Sequence, residues 1–165
     1  MNFLRNLFGK TASGSSIAAD DDGSLLEAGP IPRKRMDLLW MDPPRLAQLE
    51  QPLAQHGTVT VVIGDSSHLR EHEITLEDFQ WAKRVESVVD EAFSAGQRGN
   101  REESIRHYKK ALELAPGCDL FLMSIGANYA QLRQKAKAVR YLERAAQISP
   151  GNARIRDNLA NAQRM

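Results

Sequence analysis

From Thr75 onward the apolar positions recur at helical spacing. Phe79, Ala82, Val85, Val88, Val89, Ala92 and Phe93 fall on one stripe and predict a helix running towards Gly96. Thr75, with Asp78 three residues later, has the form of a capping box in which Asp replaces the usual Glu or Gln. Gly99-Asn100 marks a turn. Ile105, Tyr108, Ala111, Leu112 and Ala115 then predict a second helix over 101–115. The same reasoning predicts a pair over 119–132 and 135–148, and a last helix over 153–164.

Two of these stretches carry the same pattern 34 positions apart. Pro116 pairs with Pro150 at that offset, and so do Val88 with Leu122, Ala92 with Gly126, Tyr108 with Leu142, Ala111 with Ala145, Leu112 with Ala146 and Leu114 with Ile148. Apart from Leu112 over Ala146, small residues fall on small and bulky on bulky, and each unit ends at Pro-Gly. A period near 34 with two helices per unit predicts a helical solenoid, in which each unit covers its neighbour's apolar face.

These residues resemble tetratricopeptide repeats. The small positions are Ala92, Ser104 and Ala111 in one unit and Gly126, Ala138 and Ala145 in the next. The bulky ones are Val88, Tyr108 and Leu112, then Leu122, Ile125, Tyr129 and Leu142. Helix axes that pack about 8–10 Å apart leave no space for large side chains at the contact. The resemblance implies repeats at 85–118 and 119–152 and a capping helix at 153–164, with Arg156 and Gln163 where bulky residues would otherwise stand. Glu91 and Ala95 depart from the family pattern, so the first helix is expected to pack differently. In such arrays the first helices line a concave groove. By register that groove presents Val89, Phe93 and Gln97, then Leu120, Met123, Ala127 and Gln131, then Arg154, Asn161 and Arg164. The places where one subset of the family grips a terminal carboxylate hold Val89, Phe93, Ser124, Arg154 and Asn158 instead. The implied ligand is therefore an amphipathic helix or extended peptide with apolar anchors.

The N-terminal half is less regular. Residues 1–30 read as a flexible tail, with Ser, Gly and Ala around the acidic run Asp20-Asp21-Asp22. At its start Phe3, Leu4, Leu7 and Phe8 form an apolar face beside Arg5 and Lys10, a candidate membrane contact. Residues 31–74 read as a small mixed segment. Leu46, Leu49 and Leu53 predict a helix after Pro43-Pro44, and the β-branched run Thr58–Ile63 is the one strand candidate. Two repeats are fewer than the three or so such arrays usually need. Leu38, Leu39, Trp40 or the strand is therefore expected to complete the core of the unit 75–165.

Composition narrows the function classes. The chain has 165 residues, a net charge of +1 and 42% apolar residues, enough for one domain with tails. Residues 1–84 sum to −3 and residues 85–165 to +4, which points to no polyanionic partner. The single Cys118 suits a reducing compartment. No run reaches the roughly 18–20 apolar residues of a membrane span, so the expected place is cytoplasmic, with a peripheral membrane contact through residues 1–10.

Candidate chemistry is sparse. Arg133, Lys137, Arg140 and Arg144 recur as a basic patch that an acidic protein or anionic lipid could meet. Without interleaved aromatics it does not suit nucleic acid. Gly64-Asp65-Ser66 after the strand resembles the nucleophile block of GDSL-type hydrolases, with His68 and His72 nearby. The C-terminal Asp-x-x-His block of that family is missing. His72-Glu73 lacks the second histidine of HExxH, one cysteine cannot build a thiolate cluster, and no phosphate loop appears. No cofactor and no metal site is expected. The sequence thus predicts a mainly α protein, with a tetratricopeptide-like solenoid of antiparallel helix pairs at the C-terminus. Its expected function is non-catalytic protein binding, as adaptor, assembly factor or chaperone. A membrane tether and a small serine hydrolase are the alternatives.

Overall fold

The computed structural model describes residues 23–63 and 69–165. The chain begins with three short helices, α1 (Gly23–Glu27), α2 (Arg33–Leu39) and α3 (Pro43–Ala47), followed by α4 (Glu50–His56). A hairpin of β1 (Thr58–Ile63) and β2 (Arg70–Thr75) leads into the long α5 (Leu76–Gln97). Then come α6 (Arg101–Leu114), α7 (Asp119–Gln131), α8 (Lys135–Ile148) and α9 (Ala153–Arg164). Each of α5 to α9 packs along the next. Loops of three or four residues leave consecutive helices no choice but to run antiparallel. The fold is mainly α, as the periodicity predicts.

The period of 34 is written in the backbone as well as the side chains. Gly99 and Arg133, 34 apart, are both left-handed, with φ of 80° and 60°. The next amide reaches back in each case, Asn100 N to Ala95 O at 3.0 Å and Gln134 N to Tyr129 O at 2.9 Å. Ala115 and Ser149 end the second helices with φ/ψ of −131°/71° and −129°/70°. Glycine adopts the left-handed conformation freely, whereas arginine does so at a cost. The second unit therefore keeps the turn although its sequence has lost the residue that suits it.

Close approach inside the second unit depends on Gly126. A Cβ there would lie 2.6 Å from Leu142 Cγ and 3.2 Å from the Ala138 carbonyl oxygen. Leu112, Leu122, Ile125, Leu142, Ala111, Ala138 and Ala145 are all fully buried. The departures in the first unit have local explanations. Ala95 is fully buried, and exposed Glu91 lies across from α6 with its Oε2 2.9 Å from His107 Nδ1.

Some of the N-terminal half differs from the sequence reading. Residues 23–27, which by composition belong to a flexible tail, form α1, whose Leu26 is buried. Beyond it, the Ala28 carbonyl accepts a hydrogen bond from Arg144 Nη2 at 2.8 Å. Gly117 (φ 73°) admits this crossing, since a Cβ there would lie 2.3 Å from the Gly29 oxygen. Residues 46–53 form two short helices, not one. The expected single strand has a partner in Arg70–Thr75, paired antiparallel with Val59 opposite Ile74 and Val61 opposite His72. Its alternating burial was masked by the charged residues Arg70, Glu71 and Glu73, which leave only Ile74 as a deeply buried apolar position.

Leu38, Leu53, Ile74 and Val85 are fully buried and join Phe79, Trp81 and the repeat residues in one core. Leu39 is half-buried and Trp40 is 57% exposed, so of the residues expected to complete the core it is Leu38 and the strand that do so.

Replacing Leu112 or Leu142 by Ala is expected to cost about 2–5 kcal/mol in urea unfolding; a change below about half a kcal/mol at both, where packed leucines lose more, contradicts their placement. Arg133→Gly should stabilise by about 1 kcal/mol in the same assay by relieving the left-handed arginine.

Candidate partner-binding groove

α5 and α7 lie on the same side of the helix stack with α6 behind them, and small residues open a groove between them. Ala92 and Gly96 on α5 and Ser124 and Ala127 on α7 leave about 380 Å³, into which Phe93, Gln97, Arg101, Tyr108 and Asn128 also face. Its floor is polar. Asn128 Nδ2 donates to Ser104 Oγ at 3.2 Å and to the Ser124 carbonyl at 3.0 Å, which satisfies a buried amide between two helices. Phe93 remains 58% exposed at this groove. Gln97 and Arg101 supply donors at the same site.

One helical turn before Phe93, the surface changes character. Val89, Leu120 and Phe121 belong to a second cleft of about 190 Å³, walled by Met36, Leu39 and Trp40 of the N-terminal segment. Cys118 lines it as a buried thiol. Burial pushes its pKa up, and Asp119 adds to the shift against opposing amides of Phe121 and Leu120, leaving it at about 11. A thiol in that state is not a nucleophile at neutral pH.

The wall of this cleft is fastened by charge. Asp78 Oδ2 accepts from Thr75 N at 3.2 Å and Thr75 Oγ1 at 3.0 Å, and Asp78 N donates to Thr75 Oγ1, completing the capping box of α5. The same carboxylate holds Lys34 at 2.6 Å and Arg35 at 3.4 Å, both on α2. Burial alone would raise the Asp78 pKa. The Lys34 hydrogen bond, the Thr75 backbone and hydroxyl and the Lys34 charge outweigh it, so the pKa lies below the usual 3.8. Arg35 also stacks over Trp81 at 4.9 Å, and Trp81 Nε1 donates to the Leu114 carbonyl at the end of α6 at 2.8 Å. A second carboxylate on α2, Asp37, meets Arg33 at 2.8 Å and His72 of β2 at 2.9 Å.

The residues singled out from sequence are distributed over several places. Phe93, Gln97 and Ala127 line the open groove. Val89 and Leu120 line the neighbouring cleft. Met123 is buried and Gln131 is exposed at the end of α7. Arg154, Asn161 and Arg164 are exposed on α9 and line neither space; Arg164 Nη2 donates to Asn161 Oδ1. The basic patch is not one solvated stripe. Arg133 sits in the left-handed turn before α8, Lys137 lies 5.2 Å over the Tyr129 ring, and Arg144 is committed to Ala28, while Arg140 is exposed. Phe3, Leu4, Leu7, Phe8, Ser66 and His68 lie outside the described residues. Among the described residues no three metal-ligating side chains gather, and no helix is long and apolar enough to cross a membrane.

Ser104 and Asn128 were missed as groove residues. Ser104 reads in sequence only as a small packing position. Asn128 carried a signal, being a polar residue within the otherwise mostly apolar turns of α7.

The tetratricopeptide repeat family model matches residues 92–118 and 121–152. The C-terminal segment is tetratricopeptide-like. No curated protein compared with the chain matches it. The first tetratricopeptide match begins at Ala92, inside α5. The earlier turns of that helix carry Phe79, Trp81, Ala82 and Val85, which pack in the core shared with the N-terminal segment. One helix thus serves the repeat and its support.

Asp78→Asn should lower stability by about 1–2 kcal/mol at pH 7, since it weakens a cap and removes the ion pair of a buried carboxylate with a partly exposed lysine. A depressed pKa contributes stability that is fully present above 3.8 and lost as pH falls through the folded-state value. The gap between wild type and variant should therefore shrink below pH 3.8 in denaturant titrations; a constant gap from pH 7 to pH 2.5 contradicts the assignment.

Proposed function

We propose that this protein is a cytoplasmic, non-catalytic adaptor, assembly factor or chaperone that holds a peptide or helix of another protein in the α5–α7 groove. Tetratricopeptide repeats are in general protein–protein interaction modules and typically not catalytic, which supports the class. The observation that carries the specific reading is Phe93. A phenylalanine 58% exposed beside a groove with a hydrogen-bonded floor is an apolar anchor next to polar recognition groups. Covering such a side chain contributes on the order of 1.5–3 kcal/mol at full burial. Gln97 and Arg101 favour a ligand that offers backbone or side-chain acceptors beside its apolar residue.

The test uses Phe93→Glu alone, because Met123 is buried and a charge there would damage the core. Proteins cross-linked to the wild-type groove through a photoreactive residue at Gln97 should be lost in Phe93→Glu, with melting temperature unchanged. Equal cross-linking of the same partner by both forms contradicts the groove as the binding site.

A further inference from the structure

The cleft between α2, α3 and the α5–α7 pair is apolar, and among the described residues nothing covers its rim. Trp40 is 57% exposed, and Leu39 and Val89 are half-buried beside it. Asp90 of α5 places an exposed carboxylate at the same cleft, one turn beyond Glu86, whose own carboxylate is paired with Lys83. Complementary features occur in the chain itself. Phe3, Leu4, Leu7 and Phe8 stand at i, i+1, i+4 and i+5, spacing that puts four large apolar side chains on one helical face, and Arg5 and Lys10 flank them.

We propose that residues 1–10 dock in this cleft of the same molecule, with Phe3, Leu4, Leu7 and Phe8 against Trp40, Leu39 and Val89 and with the positive charge of Arg5 and Lys10 on the side of Asp90. The connection is long enough. Residues 11–22 can span up to about 40 Å when extended. The distance to be bridged is shorter. The described chain starts at Gly23, and Gly29 already touches Gly117, the neighbour of Cys118 in the cleft wall. The five residues of α1 between them rise only about 7.5 Å. A tether this short gives an effective concentration of order 1 mM, so even weak intrinsic affinity fills the cleft. Ten residues form a poor helix in water, and an apolar wall supplies the packing that isolated segments of this length lack. Docking covers Trp40 and leaves the Phe93 groove to a partner.

The two tryptophans make this readable in the full chain, because Trp81 is only 4% exposed and Trp40 dominates quenching by acrylamide. The wild type is expected to show blue-shifted emission and weaker quenching than a Phe3→Asp/Leu7→Asp variant with the same circular dichroism. A synthetic peptide of residues 1–10 at millimolar concentration should restore the protection in that variant. Equal quenching of wild type and variant overturns the proposal. So does protection that grows with protein concentration, which means docking between copies, or protection that appears only with anionic vesicles, which puts the segment on lipid.

Discussion

The approach of antiparallel helices over small side chains is the constraint from which the rest of the structure follows. At Gly126 an added Cβ would meet Leu142 at 2.6 Å and the Ala138 carbonyl oxygen at 3.2 Å, so the spacing of α7 and α8 is fixed by the absence of one atom. Ala92, its counterpart 34 residues earlier, and Ala111, Ala138 and Ala145 are buried to the same degree. Bulky neighbours such as Leu112, Leu122 and Leu142 then interlock beside the contacts, where a close-packed interior penalises any change of volume. The groove has the same origin. Ala92, Gly96, Ser124 and Ala127 are small, and their missing bulk leaves an open space between α5 and α7 whose floor includes Ser104 and Tyr108 of α6.

Legibility in the sequence tracks how locally each element is determined. The helices from α5 to α9 were readable because apolar spacing, the Thr75 capping box of α5 and the Pro-Gly stops after α6 and α8 agree, and the pattern repeats after 34 residues. Agreement between levels is what makes a fold specified. β2 was not readable, since Arg70, Glu71, His72 and Glu73 have poor strand preference, and the segment is extended because β1 pairs with it. α1 is held by Leu26 burial and by the Arg144 bond to Ala28, a contact 116 positions distant in the chain that no local pattern announces. In the groove, apolar Phe93 was legible from register, whereas the Ser104–Asn128 hydrogen bond was not, because it depends on the helices being already packed.

The turn at Arg133 shows the direction of control. Its φ of 60° matches Gly99, yet arginine has no preference for that region. The conformation is imposed by the helices on either side, which must reverse within three residues and which bury Tyr129, Ala138 and Leu142 once they have done so. Tertiary packing overrides local preference here because several buried contacts outweigh roughly 1–2 kcal/mol of backbone strain.

Two repeats leave two end faces, and the chain closes them differently. α9 covers one with little more than Ile155 and Ala162 buried and a largely polar outer side, which is the economy expected of a terminal cap. At the other end the early turns of α5, which carry Phe79 and Trp81, receive a whole subassembly carrying Leu38, Leu53 and Ile74. It is fixed through Asp78, a single carboxylate that both caps α5 and binds Lys34 and Arg35 of α2. Trp81 continues the linkage from Arg35 to the last carbonyl of α6. Removing α2 would therefore expose a buried tryptophan and take two cations from a buried carboxylate at once. An isolated buried charge is costly without its partners. The N-terminal segment is for this reason part of the repeat's fold, and the position of Trp40 at the cleft is set by the same ion pairs that start α5.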